Sequence, residues 1–193
     1  KRYPCQMKTV LFFAALLALA SCKGIVFPIE NPFFPWAPLD TADNLAIEKY
    51  LGKWYEIAVL PFYWEKGCLC TNAVYSLNPD GSILVQNSCK TGSTAANFTT
   101  MSGTAWVTDK AKLQVEFFWP FDARYWILKI DDGHNHVLIG EPSRSYLWVL
   151  SRTPTLDENT YNDLVLHAAK NGFPVDKLLK TDQSCSTATI SLQ

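Results

Sequence analysis

Tyr50-Leu51-Gly52-Lys53-Trp54-Tyr55-Glu56-Ile57-Ala58 is the stretch on which the fold turns. Gly52 permits a tight entry of the chain that a side chain would obstruct. From Trp54 onward side chains in an extended strand alternate with period two, which puts Trp54, Glu56 and Ala58 on one face. Downstream the pattern repeats. Short alternating runs cover 54–60, 68–77, 82–89, 99–107, 112–118, 124–130, 136–140 and 146–152. Turn-forming residues separate them: Asn78-Pro79-Asp80-Gly81, Asp109-Lys110, Pro120, Asp131-Asp132-Gly133 and Glu141-Pro142-Ser143. Eight short strands with hairpin-length connections indicate an up-and-down antiparallel barrel or a sandwich.

One helix follows the last strand. Thr155 or Asp157 can cap it, and Tyr161, Leu164, Val165 and Ala168 form its apolar stripe before Gly172 ends it. A lone amphipathic helix must bury that stripe on a sheet. The expected fold is therefore all-β, an eight-stranded up-and-down antiparallel β-barrel with one C-terminal amphipathic α-helix packed outside. The barrel and helix span 48–185, with a tail at 186–193.

Upstream, residues 21–47 form a Pro-rich extended tether, with Pro28, Pro32, Pro35 and Pro38 among Phe33, Phe34 and Trp36. Proline removes backbone donors and excludes a helix or central strand there. Residues 7–20 read as a signal peptide: Lys8 after Met7, an apolar run from Val10 to Ala20, and Ala18-Leu19-Ala20 as cleavage site. The run is short for a membrane span. Residues 1–6 precede a candidate initiator Met7 and are left out of the fold reading. Two readings of the processing site stand. Leu19-Ala20-Ser21-Cys22 matches a bacterial lipobox in which Cys22 becomes lipidated, giving an outer-membrane anchor. Cleavage after Ala20 gives a secreted protein with an unpaired Cys22.

The chain has 193 residues, a formal charge of −1, 48% hydrophobic residues and seven tryptophans. Near-neutral charge gives no electrostatic footprint for nucleic acid, and abundant large rings suit cores or apolar ligand cavities. Cys68, Cys70, Cys89 and Cys185 are an even set in an exported chain, read as two disulfides with three pairings open. Cys68-x-Cys70 lacks the usual zinc spacing, and no His pair follows, so no metal is expected.

Alternation assigns faces. Leu113, Val115 and Phe117 point inward, with Gln114 and Glu116 in water. Trp148 shares a face with Leu150, and Ala73 shares one with Tyr75. An eight-stranded barrel is just wide enough to fill itself or to hold one small ligand. Inward Ala58 and Ala73 leave space, and Tyr75, Phe117, Tyr125 and Trp148 supply apolar walls; the same rings could equally be packed core. Cys68 and Cys70 fall on the face opposite Tyr75, hence outside. Cys89 joins them if the turn at 78–81 closes an even-length loop, whereas a bulged loop reverses that inference. Glu56 is the one carboxylate that alternation places inside. Burial would raise its pKa unless it is partnered, either by a polar ligand head or by a neighbour such as Lys129 or a water.

The Gly52-x-Trp54 signature resembles the opening of the first strand of lipocalins. Ile130-Asp131-Asp132 and Leu150-Ser151-Arg152-Thr153-Pro154 are similar to two further family segments. Gly140-Glu-Pro-Ser-Arg-Ser-Tyr146-Leu-Trp148-Val-Leu-Ser-Arg-Thr-Pro154 is the longest stretch of likeness, and the similarity runs in order over about 45–185. Within the family the chain resembles the apolipoprotein D, bacterial outer-membrane and plant temperature-induced and chloroplast branches. The resemblance implies that Trp54 plugs the closed end with Arg152 laid across it as a structural clamp. It also implies the pairings Cys70–Cys185, as in the apolipoprotein D branch, and Cys68–Cys89, as in the chloroplast branch.

The resemblance further implies a carrier or sequestering protein for a fatty acid, lysophospholipid, sterol or carotenoid-like molecule; the inward faces read above put Glu56, Ala58, Ala73, Tyr75, Val115, Phe117, Tyr125 and Trp148 at the ligand. Burying about 300 Å² of lipid tail contributes roughly 7 kcal/mol before ordering costs, so micromolar affinity is expected. Some lipocalins are enzymes, acting on bound lipid or pigment. No nucleophilic elbow, zinc-protease motif or phosphate loop is present. His134 and His136 fall in a hairpin and His167 on the helix, so no catalysis and no cofactor are expected. Asn97-Phe98-Thr99 is a glycosylation sequon, relevant only in a eukaryote. Monomer or weak dimer is the expected state. The alternatives to a carrier are a lipocalin-fold enzyme and a lipid-anchored envelope-maintenance lipoprotein.

Overall fold

The computed structural model describes residues 38–118 and 121–187; the signal peptide, Cys22 and most of the tether lie outside them. A short helix, α1 (Ile47–Tyr50), leads into β1 (Gly52–Val59). Then come β2 (Cys68–Leu77), β3 (Ile83–Thr91), β4 (Thr99–Asp109), β5 (Lys112–Phe118), β6 (Phe121–Ile130), β7 (His136–Gly140) and β8 (Leu147–Ser151). Each pairs antiparallel with the next, and β1 pairs with both β8 and β2, closing the barrel. Helix α2 (Glu158–Lys170) follows, then a two-residue strand β9 (Leu179–Lys180) on β1 and a last turn α3 (Ser184–Thr187).

The closed end is built around Trp54. Gly52 has φ +94°, a left-handed conformation that lets the chain turn from α1 into β1. The Trp54 ring is fully buried, and its Nε1 donates to the Tyr50 carbonyl at 2.8 Å. Arg152 lies over the ring and donates to the carbonyls of Lys49, Leu51 and Lys53 on one side and His134 on the other. His134 is itself buried, with Nε2 accepting from the Ala46 amide at 3.0 Å. Its role is to tie the β6–β7 hairpin to the chain entering β1.

Two apolar clusters sit on the two sides of the wall. One fills the lower barrel, from Tyr50 and Trp54 through Ile83, Leu113 and Ile127 to Val137 and Ile139. The other lies outside, where α2 and Phe173 cover Leu128, Leu138 and Val149. Asp157 caps α2 by accepting from the Thr160 amide at 3.0 Å, and Leu164 and Ala168 carry its buried face. Gly140 allows this docking: a Cβ there would come within 2.6 Å of the Phe173 ring.

Bulges correct three inward-or-outward expectations. Ala58 does not face the barrel interior. The β1–β8 register shifts between Glu56 and Ala58, so the chain gains one residue and Ala58 packs in the cluster beneath α2. The β2–β3 register shifts between Leu69 and Asn72, with Cys70 at φ +56°. The turn between Leu77 and Ile83 holds Asn78 to Ser82, an odd number of residues. Together these bring Cys68 and Cys89 to the interior face, bordering the cavity, while Cys70 turns out to the tail. Disulfides join Cys68 to Cys89 and Cys70 to Cys185, with Cα atoms 5.5 and 6.1 Å apart.

β9 and the residues after it fill a seam. Near the closed end β1 pairs directly with β2, from Gly52↔Tyr75 to Tyr55↔Asn72. Beyond that point the C-terminal segment lies between them. Ile57 accepts from the Thr181 amide, and Asp182 accepts from the Cys70 amide at 2.7 Å. The Gln183 side chain donates to the carbonyls of Glu56 and Thr71 at 2.8 and 2.7 Å, bridging the two strands. No sequence periodicity marks this element, because two paired residues are too few to show one.

Candidate functional site

Opposite Trp54 the barrel holds a cavity of about 820 Å³. That lies in the range of small-molecule sites, about 300–1,000 Å³. Its wall brings together Glu56, Ala73, Tyr75, Val115, Phe117, Tyr125 and Trp148. Of the expected ligand-contacting residues, Ala58 alone stands elsewhere.

The bottom is a tyrosine cluster. The hydroxyls of Tyr75 and Tyr125 are 2.7 Å apart, and those of Tyr50 and Tyr125 are 3.3 Å apart. Burial holds the Tyr50 and Tyr125 hydroxyls well above their ordinary range and pushes Tyr75 up to about 12. All three are neutral at physiological pH, so the cluster presents rings and satisfied hydroxyls rather than charge. Trp148 continues this surface upward. Its ring is 5.8 Å from Tyr125, stacks on Tyr146 at 6.0 Å and meets Phe62 edge-on at 5.7 Å.

One side of the wall is polar. Glu56 is 3% exposed, and its carboxylate accepts from the Thr181 hydroxyl. Lys129 is not its partner: that ammonium pairs with Asp163 on α2 at 2.5 Å. Glu65, in a short 3-10 turn over Tyr63–Glu65 between β1 and β2, reaches the same place and hydrogen-bonds Glu56. Burial raises the Glu56 carboxyl, opposed by hydrogen bonds from Thr181 and Glu65. Burial and the negative charge of Glu56 push Glu65 up to about 9, with a hydrogen bond from Trp148 opposing. The pair therefore keeps a proton at neutral pH, because two adjacent carboxylates in a desolvated wall cannot both ionise. Glu65 escaped the sequence reading since loop residues have no alternation; the available signal was its place directly after the aromatic run Phe62-Tyr63-Trp64.

The remaining candidates are placed as follows. Asn97 is exposed between β3 and β4. Among the described residues no three His, Cys, Asp or Glu side chains are grouped to hold a metal ion, and no helix is long and apolar enough to cross a membrane.

Comparison with known proteins accords with this architecture. A lipocalin-like domain model matches residues 45–183. Temperature-induced lipocalin-1 of Arabidopsis thaliana is 40% identical over 158 residues, covering 76% of this chain and 83% of that protein. The outer membrane lipoprotein Blc of Escherichia coli K12 is 33% identical over 171 residues, covering 87% and 96%. Among solved structures, the cockroach allergen Per a 4 superposes with a TM-score of 0.61 at 21% identity, over 79% of this chain and 98% of that one, a likeness of fold. With the sealed barrel, the Trp54–Arg152 floor and the matching family model, the chain belongs to the lipocalin family.

Proposed function

We propose that this protein carries or sequesters one small hydrophobic molecule in its barrel: a fatty acid, lysophospholipid, sterol or carotenoid-like compound. The observation that carries the reading is the cavity of about 820 Å³ walled by Tyr75, Phe117, Tyr125 and Trp148. An apolar guest gains by leaving water, at roughly 25 cal/mol per Å² buried, and such burial has little directionality. Membership of the lipocalin family, whose members bind small hydrophobic ligands, points the same way.

The delipidated protein titrated with a fluorescent fatty acid and, separately, a fluorescent sterol should show saturable quenching of tryptophan emission at micromolar ligand. Trp148→Phe should reduce the quenching amplitude. Absence of saturable binding for both probes would remove the carrier reading.

For location, we propose a secreted protein, supported by the two disulfides. The second reading is a lipid anchor on Cys22, supported by Leu19-Ala20-Ser21-Cys22 and by similarity to a protein named outer membrane lipoprotein. Mass spectrometry of the mature N-terminus separates them: a free Ser21 supports secretion, and a diacylated Cys22 supports the anchor.

A further inference from the structure

The cavity is apolar over most of its wall, yet three polar groups, buried Glu56 and Thr71 and half-buried Glu65, converge on one side of it. Glu56 and Glu65 form a hydrogen-bonded carboxyl pair. Thr71 stands across the seam from Glu56, their backbones joined through Gln183. All three residues line the cavity. Oγ1 of Thr71 is buried and finds no hydrogen-bond partner, and Thr71 is only 7% exposed. Leaving such a group unpaired carries a desolvation cost. Nothing in the fold requires that cost. Glu65 reaches its position from a loop that solvent could have accommodated, and valine would fill the place of Thr71 without an orphan hydroxyl.

We propose that Glu56, Glu65 and Thr71 are the polar anchor of the cavity and accept hydrogen bonds from a ligand head group that donates protons and carries no negative charge, an amine or a hydroxyl on an apolar body. The inference rests on the carrier reading and narrows it, away from free carboxylates and toward hydroxylated or amino lipids. A carboxylate head would face the one negative charge that the carboxyl pair keeps in this low-dielectric wall. Like charges there repel far more strongly than in water. Lys66 and Arg124 also border the cavity, but both are exposed, where water and salt screen them. Asp122 and Glu141 border it too and offset their charge.

The test compares three ligands with one tail: dodecylamine, 1-dodecanol and dodecanoate, each titrated into the delipidated full-length protein at pH 7 by calorimetry. The amine and the alcohol should bind at least about tenfold tighter than dodecanoate, the scale of one hydrogen bond to a charged or buried group. Glu56→Gln keeps the shape and an acceptor oxygen but removes the pair's one negative charge, since Glu65 holds the proton. It should bring the amine down to the affinity of the alcohol and narrow the disadvantage of dodecanoate. Dodecanoate binding as tightly as the amine, or an unchanged ranking in a folded Glu56→Gln protein, would overturn the anchor while leaving the carrier reading intact. No binding of any of the three would overturn both. Should Glu56→Gln fail to fold, the ranking in the unaltered protein decides alone.

Discussion

The guanidinium carbon of Arg152 sits 3.7 Å from the centre of the Trp54 ring, sealing one end of the barrel. The same guanidinium holds the carbonyls of Lys49, Leu51, Lys53 and His134. One side chain therefore joins the entry to β1, the β6–β7 hairpin and the end of β8. This is work for a planar fork of donors, and Arg152 stands outside the residues that line the cavity.

Arg152→Ala should lower stability by about 2–4 kcal/mol in urea unfolding, through the lost cation–π contact and the carbonyls left unpaired. Arg152→Lys should recover only part of this, because one ammonium cannot reach the same carbonyls. Ligand affinity in the folded fraction should stay within about threefold of the unaltered protein, since the contacts lie beneath the cavity. A loss below 1 kcal/mol would show that the floor holds without the clamp.

Ala58 and Ala73 should respond oppositely to enlargement. Ala58 is fully buried under α2, so Ala58→Leu should overpack that contact and cost about 1–3 kcal/mol. Its effect on ligand binding should be small. Ala73 borders the cavity, so Ala73→Leu should fill guest space, lowering affinity severalfold with little change in the urea midpoint. Equal effects of the two substitutions on binding would contradict the bulge at Ile57.

The carboxyl pair should make the delipidated protein less stable as pH rises. Glu65 ordinarily titrates near 4.5 and is pushed up to about 9 in the folded chain. The folded state thus holds a proton that the unfolded chain releases. Its contribution is fully present below about pH 4.5 and is lost as pH rises toward about 9. The urea midpoint should fall over this interval, and Glu65→Gln, having no proton to lose, should show a shallower fall and be the more stable protein at pH 8–9. Parallel pH profiles for the two would refute the shared proton.

The bridge from Cys70 to Cys185 spans 115 residues, against 21 for Cys68–Cys89. A longer loop loses more conformational freedom when closed. Replacing Cys70 and Cys185 by serine should cost about 2–5 kcal/mol, more than replacing the other pair. Hydrogen exchange should then quicken at the amides of Cys70 and Thr181, which donate across the seam to the carbonyls of Asp182 and Ile57. Unchanged exchange there would mean that Gln183 alone keeps the tail in place.

The periodicity of the sequence determined much of this protein. Period-two runs located the eight strands of the barrel to within a few residues, and the stripe from Tyr161 to Ala168 located the helix. Parity placed Val115 of β5 and Trp148 of β8 on the inner face, and Phe117 borders the cavity too although the register shifts between Glu116 and Phe118. Such signals survive in one dimension because each residue's direction follows from its neighbour's. The tertiary structure decided what depends on a broken alternation or on no alternation at all. A single extra residue in β1 turned Ala58 outward, and another in β2, with an odd turn after it, brought Cys68 and Cys89 inward. Glu65 and the seam-filling tail lie in irregular chain, where position is set by packing and by hydrogen bonds to residues more than a hundred places away, such as Gln183 to Glu56.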